Sequence, residues 1–155
     1  MNKLLVIGLT FLISFRSYAQ EQPEEIKWLS FEEAMLLNEK EPRPIFIDIY
    51  TDWCGWCKKM DATTFKEKKV VDYLSGFYCV KLDAEQKEDI IFSGKTYEYI
   101  PKGKRGFHQV AAMLLDGNMS YPSFVLLAPN LKRLEILKGY MDSSQLISRL
   151  KVHNQ

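Results

Sequence analysis

Histidine and cysteine are scarce in this sequence of 155 residues, which has two of the former and three of the latter. A tetrahedral zinc site needs four ligands, and no second cysteine pair or histidine pair is present to complete one. The formal net charge is only +1, and Lys and Arg are spread along the chain. We therefore expect no metal or other cofactor and no nucleic-acid partner.

A hydrophobic run long enough to cross a membrane is also missing. The longest apolar run covers residues 4–15 and is followed by Arg16, whereas a transmembrane helix needs about 20 apolar residues. A positive start, this run and a small-residue cleavage pattern predict a signal peptide at residues 1–19, with a membrane anchor as the alternative. We expect a periplasmic protein with no stable membrane insertion after cleavage, a mobile lead-in at residues 20–27 and one domain at residues 28–155.

Two of the three cysteines, Cys54 and Cys57, form a Cys-x-x-Cys pair directly after the apolar stretch 45–50. A disulfide that closes so short a loop contributes little chain entropy, so a purely structural role is poorly supported. The spacing instead predicts a pair of thiols that open and close as a disulfide. Cys79 lies in a strand-like stretch and is interpreted as a small core residue.

The pattern up to residue 82 predicts alternating helices and strands. Ser30 and Glu33 form a capping-box sequence before the first helix. The predicted helices are 31–40, 55–62 and 66–74, and the predicted strands are 45–50 and 77–82. Strand, helix and strand in this order favour a right-handed βαβ unit with parallel strands.

The later part of the chain is predicted to return to the sheet after a longer excursion. Residues 90–92 and 96–99 indicate a hairpin, 101–106 a basic loop and 107–115 a helix. Strands at 123–127 and 134–137 are joined by a short turn, which makes them antiparallel, and a helix follows from 143 or 144 to 152.

Residues 45–58, with the sequence Ile-Phe-Ile-Asp-Ile-Tyr-Thr-Asp-Trp-Cys-Gly-Trp-Cys-Lys, resemble the active-site strand and turn of the thioredoxin family. Residues 80–83, Tyr121-Pro122-Ser123 and Gly139 match further family positions, so the resemblance covers most of residues 28–150. It implies an α/β thioredoxin fold, with a central mixed β-sheet flanked by helices and an insertion at about 84–120 between the third strand and a cis-proline. It also implies thiol–disulfide oxidoreductase activity.

Two departures from thioredoxin itself, together with Met60-Asp61 and Thr64-Phe65 after the cysteine pair, favour a resemblance to its secreted bacterial relatives. Thioredoxin has Gly-Pro between its cysteines, whereas this chain has Gly55-Trp56. The segment from residue 83 to 121 is also longer than in a minimal thioredoxin.

The resemblance assigns roles to the residues around the cysteine pair. Cys54, at a helix N-terminus, is the expected nucleophile, and Cys57 is the expected resolving thiol. Asp48 is expected to be buried and to exchange a proton with Cys57, while Lys81 tunes the pKa of Asp48. The alternative is a solvated Asp48 at a strand end and a lysine that extends to solvent.

Substrate binding is expected at Trp53, Gly55, Trp56, Tyr121 and Pro122. The resemblance implies a cis Pro122 that leaves the backbone of Tyr121 free to pair with an extended substrate. The alternatives are a trans proline at a strand start and a Trp53 that packs in the core. The basic loop 102–105 is either a solvated turn or a determinant of partner choice, and His108 and His153 are assigned no role.

The function that these residues favour is reduction of protein disulfides by a protein of the cell envelope, with a thiol electron donor upstream. Asp48 and Lys81 match the reductant pattern, and the Pro-His dipeptide of strong oxidants is absent between the cysteines. Two alternatives stay open, a disulfide oxidase or isomerase and a non-catalytic binding module or holdase.

Overall fold

The computed structural model describes residues 24–153, so the predicted signal peptide at 1–19 and the first part of the lead-in lie outside the described residues. The chain forms these elements in order: β1 (Trp28–Leu29), α1 (Phe31–Lys40), β2 (Ile45–Tyr50), α2 (Gly55–Ala62), a 3₁₀ turn (Thr64–Lys66), α3 (Lys68–Leu74), β3 (Tyr78–Asp83), β4 (Ile90–Phe92), β5 (Lys95–Tyr97), β6 (Tyr99–Lys102), β7 (Arg105–His108), α4 (Gln109–Leu114), β8 (Ser123–Leu127), β9 (Arg133–Lys138) and α5 (Ser143–Lys151). Among residues 24–153, no helix is both long and apolar enough to cross a membrane.

Helix α1 begins where the capping-box sequence predicts. The backbone N–H of Glu33 donates to Ser30 Oγ at 3.1 Å, and the Glu33 carboxylate accepts from the backbone N–H of Ser30 at 2.8 Å. Two of the N–H groups at the helix end are thus satisfied. Phe31 and Ala34 point into the core from the same turn, which places α1 against the sheet.

A five-stranded mixed sheet with the order β1-β3-β2-β8-β9 forms the centre of the molecule. Strand β3 pairs in parallel with β1 and β2, while β8 pairs antiparallel with β2 and β9. The predicted parallel β2–β3 unit and antiparallel β8–β9 pair are confirmed. Strand β2 is central and almost wholly buried, because every residue from Ile45 to Ile49 lies in the interior.

Two hydrophobic clusters cover the two faces of the sheet. Ile45, Ile47 and Ile49 of β2 point into one cluster, which α1 and α4 close. Phe46 points into the other, which α3 and α5 close. Because neighbouring residues of a strand alternate between faces, Asp48 lies on the same face as Phe46.

The segment between β3 and β8 differs from the prediction. Residues 101–106 were predicted to be a loop, but β6 and β7 form an antiparallel hairpin with a turn at Gly103. The predicted helix from 107 begins only at Gln109, because the backbone N–H of His108 donates to the carbonyl of Ala84 at 2.7 Å. Contacts distant in sequence thus hold residues 107–108 extended against their local helical pattern.

The helix predicted from residue 66 was also placed too early. It begins at Lys68, and the preceding residues Thr64–Lys66 form a 3₁₀ turn that follows α2. Thr64 is buried, and its hydroxyl donates to the carbonyl of Met141 at 2.9 Å. This bond to the region before α5 favours a tight turn over a continued α-helix.

Candidate active site

The paired cysteines lie where strand β2 leads into helix α2. Cys54 is the N-cap of α2, and its Sγ accepts a hydrogen bond from the backbone N–H of Cys57 at 3.1 Å. The two cysteines form a disulfide and are 5% and 2% exposed. Cys54 therefore lies at the positive end of a helix, an arrangement that stabilises a thiolate once the disulfide is reduced.

Asp48 is buried in β2, on the sheet face that α2 covers. Its side chain accepts from Lys81 Nζ at 2.7 Å through one oxygen, while the other oxygen has no hydrogen-bond partner within the described chain. Burial raises its pKa from 3.8 to about 6, although the charge of Lys81 acts in the opposite direction. The Asp48 carboxyl can therefore bind or release a proton near neutral pH.

Lys81 lies opposite Asp48 on strand β3 and forms a second ion pair, with Asp61 of α2. Burial lowers the pKa of Lys81, but the carboxylates of Asp48 and Asp61 together raise it by more than burial lowers it. The net shift of the pKa is upward, so the ammonium stays charged. The rings of Trp28 and Tyr50 also lie 5.0 Å from its nitrogen. This cluster joins the sheet to the helix that carries the cysteines.

Asp61 is a site residue that the sequence reasoning missed. The sequence did hold one indication of its role. Asp61 comes four residues after Cys57 in α2, so the two residues lie on the same face of the helix. The link to Lys81 depends on how α2 crosses the sheet, and a sequence pattern does not contain that angle.

The two tryptophans next to the cysteines lie at the surface, with Trp53 50% and Trp56 58% exposed. The alternative in which Trp53 packs in the core is therefore wrong. Trp53 stands edge-on to Tyr121 with ring centroids 5.8 Å apart, and Trp56 contacts Tyr140 at 5.3 Å. The peptide bond between Tyr121 and Pro122 is cis. Exposed aromatic rings thus flank the disulfide on both sides.

A groove of about 380 Å³ extends from Trp53 towards the second hairpin. Trp53 Nε1 donates to the carboxylate of Glu85 at 3.1 Å. The guanidinium carbon of Arg105 lies 4.2 Å from the centroid of the Trp53 ring. Glu85 was not predicted from the sequence, whereas Arg105 belongs to the basic loop 102–105, for which a role in partner choice was one of two alternatives.

Cys79 and His108 lie away from the disulfide and are both buried. Desolvation raises the pKa of the Cys79 thiol to about 12, so it stays protonated, as its interpretation as a core residue requires. His108 Nδ1 accepts from the backbone N–H of Val110 at 3.2 Å and caps α4. Burial lowers the pKa of His108, which favours the neutral imidazole.

Known proteins resemble this chain in both sequence and structure. The chain is 26% identical over 109 residues to the thiol:disulfide interchange protein DsbD of Vibrio cholerae, covering 57% of this chain and 18% of that protein. The chain spans less than a fifth of the length of six DsbD proteins that it matches. A putative disulphide-isomerase from Bacteroides thetaiotaomicron has a TM-score of 0.60 at 26% identity, covering 87% of this chain and 99% of the other.

A thioredoxin from Thermus thermophilus has a TM-score of 0.62 at 17% identity, covering 83% of this chain and 86% of the other, so the likeness shows a shared thioredoxin fold. The α/β fold class predicted from the sequence is confirmed. A family model described as "Thioredox_DsbH: Protein of unknown function, DUF255" matches residues 13–145. The chain therefore belongs to the Thioredox_DsbH family, and it combines a thioredoxin fold with a disulfide between paired cysteines.

Proposed function

We propose that this protein is a thiol–disulfide oxidoreductase of the bacterial cell envelope that reduces protein disulfides through Cys54 and Cys57. The observation that carries the proposal is the disulfide at the N-terminus of α2, together with a buried carboxyl on the sheet face that α2 covers, which can exchange protons near neutral pH. A purely structural disulfide requires neither the helix end nor the buried acid.

The reaction begins from the reduced protein. The Cys54 thiolate attacks one sulfur of a substrate disulfide, and the other substrate sulfur leaves as a thiolate that takes a proton from water. Cys57 then attacks Cys54 Sγ, which releases the second substrate thiol and closes the Cys54–Cys57 disulfide. The substrate gains two electrons, and a thiol donor upstream returns two electrons to the protein.

Asp48 supplies the base for the second step. Cys57 must lose its proton before it attacks, and a buried carboxylate with a raised pKa is matched to this transfer near neutral pH. Lys81 and Asp61 support the assignment, because their ion pairs tie Asp48 to the helix that carries Cys57. These two ion pairs thereby hold the Asp48 carboxyl in a fixed position relative to the helix that carries Cys57.

An extended substrate segment fits beside the disulfide. Within residues 24–153, the backbone N–H and carbonyl of Tyr121 make no hydrogen bond, so both are available to a bound strand. Trp53 and Trp56 offer exposed apolar rings on either side. Gly55, between the cysteines, has no neighbouring atom within 4 Å of the position a Cβ would take, so it leaves room for a bound segment there.

The reduction potential tests the direction of the reaction. The protein is equilibrated with reduced and oxidised glutathione, and the fraction of Cys54–Cys57 disulfide is measured by mass after acid quenching and alkylation. We expect a potential close to that of thioredoxin, about −270 mV. A potential near about −120 mV, that of a strong oxidant, contradicts the reductase assignment.

Similarity to the Bacteroides putative disulphide-isomerase favours isomerisation as the second candidate. Refolding of a scrambled substrate in a glutathione buffer separates the two activities, because an isomerase restores native disulfides without net reduction. A variant with both Cys54→Ser and Cys57→Ser serves as the control. If this variant retains full function, a binding module or holdase replaces both enzymatic assignments.

Location in the envelope is supported by the DsbD relatives and by the signal-like residues 1–19. Cell fractionation with compartment markers tests it, together with mass spectrometry of the mature N-terminus. Release with the periplasmic fraction is the expected result, and retention with cytoplasmic markers contradicts it.

A further inference from the structure

We propose that the hairpin β6–β7 is a specificity element that selects substrates with an acidic side chain next to their disulfide, and that Arg105 is the residue that reads this charge. The inference rests on the proposed function, since it names a preference of the same site. It is carried by the position of Arg105, the packing of the hairpin and the charges around the groove.

The hairpin is held firmly beside the active site. Its last residue, His108, is fully buried, and the backbone N–H of Gln109 donates to the carbonyl of Glu98 at 3.0 Å. A Cβ at Gly106 would overlap the carbonyl oxygen of Ile100 and the ring of Tyr99, so the strands pack too closely for a side chain at that point. A hairpin anchored in this way holds a side chain in place with little loss of conformational entropy.

Arg105 reaches from this hairpin to the residue that precedes Cys54. Its guanidinium lies over the Trp53 ring, which in turn meets Tyr121, the residue before Pro122. An arginine stacked on an aromatic face keeps its N–H donors free at the edge of the plane, where they can bind a carboxylate through two bonds. The guanidinium of Arg105 can therefore donate two hydrogen bonds to a carboxylate of a substrate segment bound beside the disulfide.

The charged side chains that line the groove favour an acidic partner. Lys102 and Arg105 both line the groove, Lys104 lies at the hairpin turn, and none of the three has an ion-pair partner among the described residues. Among the described residues that line the groove, Glu85 is the single acidic one, and its carboxylate accepts a hydrogen bond from the indole N–H of Trp53. The groove thus combines basic side chains that have no ion-pair partner among the described residues with apolar lining residues.

Two synthetic peptides test the inference. Each contains one internal disulfide, and they differ only in having Glu or Gln on both sides of one cysteine. Stopped-flow mixing with the reduced full-length protein gives the second-order rate constant for disulfide exchange. We expect the Glu peptide to react about fivefold faster at low salt, with the difference shrinking at high salt.

Arg105→Gln is expected to remove this preference and Arg105→Glu to reverse it. The matched control is Lys132→Gln, because Lys132 is exposed in the turn after β8, at the end of the strand far from Pro122. The inference is overturned if wild type reacts equally with both peptides or if Arg105→Gln keeps the preference. If wild type reacts with neither peptide, the proposed function itself fails.

Discussion

At the residue scale, the site is governed by one buried carboxyl and its uneven environment. Asp48 has a strong partner for one oxygen, Lys81, and no hydrogen-bond partner among residues 24–153 for the other. Burial raises its pKa more than the nearby ammonium lowers it. The protein therefore keeps a group in its core whose charged form costs folding free energy.

Replacing Asp48 by Asn should change how stability depends on pH. The folded-state pKa of about 6 lies above the ordinary value of 3.8, so the folded state binds the proton more tightly. This contribution is complete below about pH 4 and is lost as pH rises through about 6. Relative to Asp48→Asn, the free energy of unfolding of the wild type should fall by up to about 3 kcal/mol from about pH 4 to about pH 8.

Urea titrations at a series of pH values measure this difference. The control is Asp116→Asn, at a position with positive φ that Asn adopts readily, where the substitution removes only an exposed ion pair with Arg133 that should contribute little to the free energy of unfolding. Parallel curves for Asp48→Asn and wild type would show that burial does not perturb the Asp48 carboxyl in solution.

At the element scale, the segment between β3 and β8 differs most from the pattern of its own residues. Hairpins β4–β5 and β6–β7 and the short helix α4 occupy it. The first hairpin has Ser93-Gly94 at its turn, both with positive φ, and was predicted from this turn chemistry. The second has basic residues around Gly103, a composition that favours a loop, and only the pairing of β6 with β7 makes it a hairpin.

Gly106→Ala should destabilise the second hairpin. The added methyl group overlaps the backbone of Ile100 and the ring of Tyr99, so the strands must separate, at a cost of about 1–3 kcal/mol. Thermal unfolding measures the loss. Gly76→Ala is the matched control, since no atom lies within 4 Å of its added Cβ, and its Tm should change little or rise. Equal Tm values for the two variants would contradict the close packing.

At the scale of the whole molecule, the central sheet divides the core into two clusters and protects Cys79 between neighbouring strands. Cys79 pairs with Trp28 of β1 on one side and with Phe46 of β2 on the other. Its thiol is 3% exposed. Reagents should therefore reach it only when the sheet itself opens.

Alkylation of the reduced protein should distinguish the three cysteines. Cys54 is expected to react first, because the helix end favours its thiolate. Cys79 should react at a rate set by global unfolding, so its protection and the free energy of unfolding from urea titration should agree. Rapid labelling of Cys79 in native buffer, measured by peptide mass, would show that the core opens locally.

The position of the paired cysteines at the end of a strand and the start of a helix could be predicted from the sequence, because its signals are local. Cys54 and Cys57 follow a buried strand at a fixed spacing, and the capping box of α1 lies within four residues. The parallel pairing of β2 with β3 followed from the strand–helix–strand order, and the antiparallel pairing of β8 with β9 followed from their short connection, whereas the short edge strand β1 was not predicted. Each of these features depends mainly on residues that are close together in the sequence, and such local patterns can be recognised without the tertiary structure.

Only the tertiary structure decided which distant residues complete the site. Asp61 reaches Lys81 because of the way α2 crosses the sheet, and Arg105 lies on Trp53 because β6 and β7 pair. The pKa of Asp48 likewise depends on burial by several elements at once. Such contacts follow from packing angles and from pairing between distant segments, and a local pattern contains neither.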